Sequence, residues 1–224
     1  MNKKYKYDEY YFQVIDSKEK AYWLGFIMAD GCIQDNRLKD NKSKNCCLRI
    51  RLTESDKEHL LKFKKCLNGN LPIRIVKNYG IYDNCKALCE ISVHSKKLVD
   101  SLYDLNFEAG NKSGHEFIPK VIKRNKEFTT SFLLGLFDGD GYISLTDKTH
   151  EFSISSSYKM CYFIKKFFEE NLDVKFQKVG KERNGELLYR VRCGRINDLL
   201  IIRDFIYKNQ PIYLSRKYEK FFSI

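Results

Sequence analysis

Hydrophobic and polar positions follow the same order of predicted elements twice along the chain. Apolar residues three or four positions apart indicate helices and alternation indicates strands, as in CLRIRLT, where the two arginines share one face. The first series has helices near 17–30, 55–67 and 95–105, with strand-like stretches after the first helix, notably 47–53, and strands near 73–76 and 87–93. The second has helices near 130–140, 158–171 and 195–207 and strands near 142–145, 151–156, 174–179 and 187–193. The repeated order α-β-β-α-β-β-α predicts an α/β (α+β) protein of two pseudo-symmetric subdomains with mostly antiparallel sheets.

A less regular segment separates the two series. It contains Gly110, Gly114 and Pro119 and several charged residues, which is typical of a connection. We therefore predict an N-terminal subdomain at 1–110, a linker at 111–129 and a C-terminal subdomain at 130–224.

Both series begin with matching segments, WLGFIMADG at 23–31 and LLGLFDGDG at 133–141. The small and acidic residues match in pairs: Gly25 with Gly135, Ala29 with Gly139, Asp30 with Asp140, and Gly31 with Gly141. Residues four apart share a helix face, so the small residues allow two helix backbones to approach more closely than the usual ~8–10 Å. Such packing would bring the two aspartates together, and the glycines after them suit the left-handed residue that often ends a helix.

Two aspartates at helix C-termini are unfavourable for folding alone. The helix end already carries partial negative charge, and neighbouring carboxylates repel each other. A divalent cation removes that penalty, and carboxylate oxygens suit Mg²⁺. The alternative, that Asp-Gly merely ends each helix, explains one copy better than two. The repeat therefore predicts a metal site directed at a two-fold symmetric substrate, and duplex DNA fits best.

Composition agrees with a nucleic-acid partner. The 224 residues carry a net charge of +12, with 43% hydrophobic and 14% aromatic residues, which favours a folded protein that binds polyanions. No apolar run approaches the ~20 residues needed to span a bilayer, and no lysine-rich amphipathic helix suggests a membrane surface. The eight cysteines lack the spacing of a zinc site. The polar first residues show no signal-peptide pattern. We expect reduced cysteines at apolar positions in an intracellular protein, either cytoplasmic (bacterial or phage) or organellar.

The two segments resemble the LAGLIDADG motifs of the homing endonuclease family, in the form with both motifs on one chain. The resemblance covers nearly all of the chain. It implies that the motif helices form the interface between subdomains and that each sheet curves into a saddle for the DNA major groove. The first motif departs from the pattern at Met28, where the second has Asp138, a position that generally lies outside the metal site in the family.

The resemblance also assigns the active site. Asp30 and Asp140 match the family's catalytic, metal-binding acids, and the carbonyls of Ala29 and Gly139 are further candidate ligands. The implied cofactor is Mg²⁺, for which Mn²⁺ or Ca²⁺ can substitute in binding.

Each repeat also ends with a lysine in a similar place. Family members often have a basic residue near this point, within reach of the active site, so Lys112 and Lys217 are the candidate catalytic lysines. The alternative is that both are solvated lysines in a lysine-rich protein.

DNA recognition is expected from polar side chains on the strands. Arginine suits guanine edges in the major groove, and the candidates are Arg49, Arg51, Arg74 and Lys77 in the first repeat and Lys175, Gln177, Arg190 and Arg192 in the second. The serines at 153, 155, 156 and 157 have no basic match in the first repeat, which predicts an asymmetric target. The segment 3–12 is either a DNA-binding arm or a packed tail.

The implied reaction is metal-dependent hydrolysis of a phosphodiester in each strand of a long duplex target by a monomer. Two alternatives remain on the same fold: an intron maturase that binds RNA, and a catalytically silent DNA-binding regulator. Retention of both motif aspartates favours the nuclease. An intein origin is not expected, because no self-splicing domain flanks the repeats.

Overall fold

The structure is a computed structural model that describes residues 4–38, 45–76, 87–110, 114–146, 149–182 and 187–223. Its helices are α1 (Lys18–Asp30), α2 (Lys57–Cys66), α3 (Lys96–Asp104), α4 (Lys120–Lys123), α5 (Lys126–Asp140), α6 (Tyr158–Asn171), α7 (Ile196–Tyr207) and α8 (Ser215–Phe221). Its strands are β1 (Gly31–Asp35), β2 (Cys46–Thr53), β3 (Arg74–Val76), β4 (Leu88–Val93), β5 (Gly141–Leu145), β6 (His150–Ser156), β7 (Gly180–Lys181) and β8 (Tyr189–Cys193). The predicted α/β class with two antiparallel sheets is confirmed.

Internal contacts divide the chain into two compact units. Unit 1 combines Met1–Asp16 with Asp30–Gly110, and unit 2 combines Ser17–Ala29 with Asn111–Ile224. All of α1 except its last residue therefore belongs with the second series of elements. The subdomain limits inferred above describe sequence repeats and stay a prediction. The segment predicted as a linker contains α4 and the first turn of α5, which begins after Asn125.

Unit 1 is built on a sheet with the strand order β1-β2-β4-β3. In β2, Leu48, Ile50 and Leu52 are buried on one face, whereas Arg49 and Arg51 lie on the other. Helices α2 and α3 pack against β2, so the core lies between the sheet and these helices. The predicted alternation therefore directs the arginines outward.

The N-terminal segment packs as a tail against the rest of unit 1. The backbone N–H of Lys6 donates to Oδ1 of Asn70 over 2.7 Å, and the Asn70 N–H donates back to the Lys6 carbonyl over 3.0 Å. The Tyr7 hydroxyl donates to the His94 carbonyl over 2.6 Å, and Phe12 is buried. Of the two interpretations of this segment, the packed tail is the one observed from Lys6 onward.

Unit 2 has the matching strand order β5-β6-β8-β7 and an aromatic core. Phe137 of α5 stacks on Phe152 of β6 with ring centroids 4.7 Å apart. Phe221 of α8 lies 6.0 Å from each of these rings. This cluster ties α5 and α8 to the sheet and so determines where the C-terminal end of α5 lies.

The strand predicted over 174–179 is wrong. Val174 and Phe176 are buried while Lys175 and Gln177 are exposed, so the alternation is real. The backbone N–H groups, however, bond mainly to side chains: that of Lys175 donates to Asp198 and that of Phe176 to Glu169. Alternation reports one-sided burial of an extended chain, which does not require a neighbouring strand. The Gln177 N–H donates to the Arg192 carbonyl of β8 over 2.9 Å, but the regular ladder with β8 is confined to β7.

Most of the described cysteines fill buried positions, as predicted. The seven cysteines within the described ranges are free thiols, and five of them are buried. Burial raises the pKa of the Cys161 thiol to about 12 and that of Cys193 to about 11.

No helix in the described ranges is both long enough and apolar enough to cross a membrane.

Candidate active site and nucleic-acid interface

Helices α1 and α5 meet at the two motif glycines. A Cβ atom on Gly25 would overlap the carbonyl oxygen of Phe132 and lie 2.8 Å from its carbonyl carbon. A Cβ atom on Gly135 would overlap the carbonyl oxygen of Tyr22 and lie 3.0 Å from its carbonyl carbon. Each glycine faces the residue three positions before the other, so the contact is reciprocal. The close backbone approach predicted for these two glycines is confirmed.

Each motif helix ends on its aspartate and passes directly into a strand. Asp30 is the last residue of α1 and Asp140 the last of α5, and the glycine after each begins β1 or β5. Asp30 is half-buried and Asp140 is exposed. Both carboxylates therefore end a helix at the start of a sheet, at equivalent positions in the two repeats.

The left-handed glycine predicted after each motif is wrong. Gly141 is extended, with φ −78° and ψ 153°. The described glycines with positive φ are Gly110 and Gly114, so Gly31 is not left-handed either. Gly141 is needed for space, because a Cβ atom there would overlap the ring and carbonyl of Phe137.

Lys217 lies against the C-terminal turn of α5. Its side chain is buried, and Nζ donates to the carbonyls of Gly139 over 3.2 Å and Gly141 over 2.6 Å, and also to that of Phe137. The ammonium group also lies 5.0 Å from the centroid of the Phe137 ring. A cation here bonds to carbonyls at the C-terminal end of the helix and complements its partial negative charge. Lys217 thus bonds to the carbonyls of the residues on either side of Asp140, and its catalytic role stays a prediction.

Asp138 joins three segments of unit 2, a role that the sequence did not reveal. Oδ2 accepts a hydrogen bond of 2.6 Å from the Tyr22 hydroxyl of α1 and one of 2.7 Å from the Leu214 N–H that precedes α8. The residue is 1% exposed. Burial and the negative charge of Asp138 raise the pKa of the Tyr207 hydroxyl. The sequence did place this acid on an apolar helix, which could have indicated a buried, hydrogen-bonded carboxylate. Its partners are distant in sequence, so they could not be identified.

The donors at the motif helix ends suit a hard cation. Within the described ranges, no three His, Cys, Asp or Glu side chains are placed to hold a metal ion. Each motif helix end offers the oxygen donors of one aspartate and of the carbonyl before it, Asp30 with Ala29 and Asp140 with Gly139. The carbonyls at the end of α5 already accept a cation, the ammonium of Lys217. This all-oxygen donor set fits Mg²⁺ or a similar ion.

The outer face of the first sheet carries three arginines around one acid. Arg49 and Arg51 of β2 lie 3.3 and 2.7 Å from Oε2 of Glu90 in β4. Arg74 of β3 is exposed and pairs in register with the same glutamate. Burial raises the pKa of Glu90, but hydrogen bonds from Arg51 and Ser92 and the charges of the arginines outweigh it, so the pKa is lowered.

The outer face of the second sheet has its arginines on another strand. Arg190 of β8 donates to Glu182 and lies 3.8 Å from Glu151. Arg192 donates from Nε to Oε1 of Gln177. A cleft of about 780 Å³ beside β8 brings together the predicted contacts Lys175, Gln177 and Arg192, with His150 and Arg195 also in its wall.

Strand register corrects the predicted correspondence between the sheets. Gly31 pairs with Ile50 as Gly141 pairs with Ile154, so β2 and β6 align on these residues. Four outer-face positions then match: Arg49 with Ser153, Arg51 with Ser155, Glu90 with Arg190, and Ser92 with Arg192. The serines at 153 and 155 therefore do have basic counterparts, contrary to the prediction. Lys77 and Lys112, two further predicted site residues, lie outside the described residues.

Comparison with known proteins shows which known fold this chain shares. No model of a known protein family matches the chain. Over 123 residues it is 30% identical to the glutamine–fructose-6-phosphate aminotransferase (isomerizing) of Methanocaldococcus jannaschii, a match covering 54% of this chain but 10% of that relative. The homing endonuclease I-WcaI bound to its DNA recognition sequence matches with a TM-score of 0.63 and 13% identity, over 94% of this chain and 90% of that one.

The homing endonuclease I-DmoI is similar in two complexes. The structure with DNA and Ca matches with a TM-score of 0.60 and 20% identity, over 90% of this chain and 95% of that one. The structure with DNA and Mn matches with a TM-score of 0.56 and 20% identity, over 88% of this chain and 98% of that one. Together with the glycine contact between the motif helices and the two sheets of equal strand order, these matches show that the chain has the fold of the single-chain, two-motif LAGLIDADG homing endonucleases.

Proposed function

We propose that this chain is a site-specific endonuclease that hydrolyses both strands of a long, asymmetric DNA duplex with a divalent metal. The observation that carries the proposal is the repeated unit in which a motif helix, packed glycine to backbone on its counterpart, ends on an aspartate at the start of a sheet. Two of the similar structures, I-DmoI and I-WcaI, are homing endonucleases bound to DNA, which supports this assignment. Two repeats on one chain supply both halves of the site, so a monomer suffices.

The proposed metal ligands are Asp30, Asp140 and the carbonyls of Ala29 and Gly139. A bound Mg²⁺ supplies Lewis-acid stabilisation of charge on the reacting phosphate and its leaving oxygen. The neighbours with Ca and Mn support the use of a divalent ion. The chain's own part is to hold the ion at the helix ends and to fix the duplex on the two arginine-bearing sheets.

Lys217 is proposed as the basic residue of the second repeat. Its ammonium is anchored by the carbonyls at the end of α5, so its charge is held at that helix end. A charge held in place before the reaction lowers the barrier more than a mobile one, because no reorganisation is needed. Lys112 is the proposed equivalent in the first repeat.

Recognition is proposed to be asymmetric because the two sheets carry their arginines on different strands. The first sheet has them on β2 opposite Glu90 and Ser92, and the second has them on β8 opposite Ser153 and Ser155. The two faces therefore present different donor patterns to the bases, and an identical half-site on each side would not satisfy both.

The test is cleavage of a randomised duplex library with Mg²⁺ by the intact chain and by Asp30→Asn and Asp140→Asn. We expect discrete double-strand cuts from the intact chain and a loss on the order of 10²-fold or more in each variant, because each removes a metal-binding charge. Duplex binding should persist in both. Asp104→Asn, which changes an exposed aspartate in α3, is the matched control and should cut normally.

Three results would count against the proposal. Unchanged cutting in either motif variant would remove that aspartate from the active site. Binding to duplex DNA without any cutting would favour a silent regulator. A preference for structured RNA over duplex DNA would favour a maturase.

A further inference from the structure

Glu90 is an acid in the middle of a face that otherwise carries arginines. It is 7% exposed, and both carboxylate oxygens are engaged. Oε1 accepts a hydrogen bond of 3.0 Å from the Ser92 hydroxyl, and Oε2 accepts bonds of 3.1 and 2.7 Å from Nε and Nη2 of Arg51. Arg49 lies 3.3 Å from the same oxygen. The carboxylate is therefore held in one orientation and sets that of Arg51.

The contact uses one edge of the Arg51 guanidinium. Of the five N–H groups, the one on Nε and one on Nη2 are directed at Glu90. The two N–H groups on Nη1 and the second on Nη2 remain at the far end of the fork. The side chain is 43% exposed, and within the described residues these three N–H groups make no hydrogen bond. Two parallel donors at that end match the O6 and N7 acceptors of guanine.

We infer that Glu90 is a specificity-determining positioning residue, which holds Arg51 so that its free end reads a guanine in the major groove. The inference rests on the proposed function and deepens it. A phosphate contact carries no sequence information, and a mobile arginine can bind either group. A fixed arginine beside a negative charge is less available to phosphates, because the carboxylate repels them. The arginine side chain is also already ordered in the free protein, so binding costs less conformational entropy.

The second sheet supports the same principle with different partners. Arg190 donates to Glu182, and Ser155 also donates to that carboxylate over 3.1 Å. Arg192 is held by Gln177, which is neutral. Arginines on both faces are thus fixed by an acceptor, but Glu90 is the one acid that two arginines share within the described residues.

The experiment compares binding of the intact chain and Glu90→Gln to its selected target, to scrambled duplex, and to targets changed one base pair at a time. We expect the variant to bind scrambled duplex several-fold more tightly and to lose about tenfold of its discrimination at one G·C pair. Arg51→Lys keeps the charge but loses the fork, and it should relax the same base pair. Glu170→Gln, an exposed acid on α6, is the control for lost charge and should leave the base profile unchanged.

The outcomes separate this inference from the proposed function. If the intact chain selects no duplex sequence, the proposed function fails. If it does but Glu90→Gln keeps the base profile, or weakens target and scrambled duplex equally, the positioning role is wrong. Should Glu90→Gln not fold by thermal melting, Ser92→Ala releases Oε1 without removing the charge, and it should relax the same base pair to a smaller extent.

Discussion

At the scale of single residues, unit 1 contains a charge cluster at the end of β1. Asp35 accepts hydrogen bonds from Nε of Arg37 over 2.8 Å and from the Tyr103 hydroxyl over 2.8 Å. Arg37 also pairs with Asp100 over 2.9 Å. The hydrogen bond from Arg37 is the main cause that lowers the pKa of Asp35 to about 2. The cluster thus links β1 to α3 through a buried carboxylate.

This shifted pKa predicts a loss of stability in acid. Because the pKa of Asp35 is lowered on folding, its stabilisation is present above the ordinary value near 3.8 and is lost as the pH falls towards 2. The shift corresponds to about 2 kcal/mol. We expect Asp35→Asn to reduce the free energy of unfolding at pH 7. The difference in the free energy of unfolding between the variant and the parent should then narrow by about 2 kcal/mol between pH 4 and pH 2.

Urea unfolding at several pH values measures this prediction. Asp104→Asn, which changes an exposed aspartate at the end of α3, is the control for the substitution itself. A gap between Asp35→Asn and the parent that stays constant down to pH 2 would contradict the assigned cause.

At the scale of elements, the contact between α1 and α5 decides how the motif segments can vary. An alanine at Gly25 gains about 1 kcal/mol of helix propensity. Its methyl group would nevertheless meet backbone atoms of Phe132 and Leu136, which cannot rotate away as a side chain can. Overpacking of this kind costs about 1–3 kcal/mol or more. Steric overlap therefore outweighs propensity.

We accordingly expect Gly25→Ala and Gly135→Ala each to lower the free energy of unfolding by about 2 kcal/mol. Chemical denaturation followed by circular dichroism measures the loss. Gly180→Ala in β7 provides the comparison, because nothing lies within 4 Å of the added methyl group. Equal stability of Gly25→Ala and Gly180→Ala would show that the helix backbones are not in close contact.

Elements also show the limits of local patterns. The helix predicted at 130–140 begins four residues earlier, because Asn125 caps it by accepting hydrogen bonds from the N–H groups of Glu127 and Phe128. Periodicity alone does not detect a polar first turn. The strand predicted over 174–179 fails for the complementary reason, since its alternation was correct but most of its backbone N–H groups bond to side chains instead of to a neighbouring strand.

At the scale of the whole molecule, the net charge of +12 predicts salt-sensitive DNA binding. Each neutralised phosphate releases counterions, so affinity falls with added salt. We expect a loss on the order of 10³-fold in duplex affinity between about 50 and 200 mM salt. Fluorescence anisotropy with a labelled duplex measures the slope of the logarithm of the affinity against the logarithm of the salt concentration. Arg74→Ala should reduce the magnitude of this slope by at most about one if that exposed arginine contacts a phosphate. Affinity that is independent of salt would contradict electrostatic binding.

The sequence by itself determined the repeat, the fold class, the motif glycines and the outward arginines of β2 and β8. These features depend on local periodicity, which burial on one face imposes on the chain directly. Only the tertiary structure decided what the polar side chains bind. Asp138 meets Tyr22 across 116 residues, Lys217 meets the end of α5 across 76 to 80, and Glu90 meets Arg51 across 39. Such partners are chosen by packing and strand register, and no local pattern in the sequence records which distant group will satisfy a buried charge.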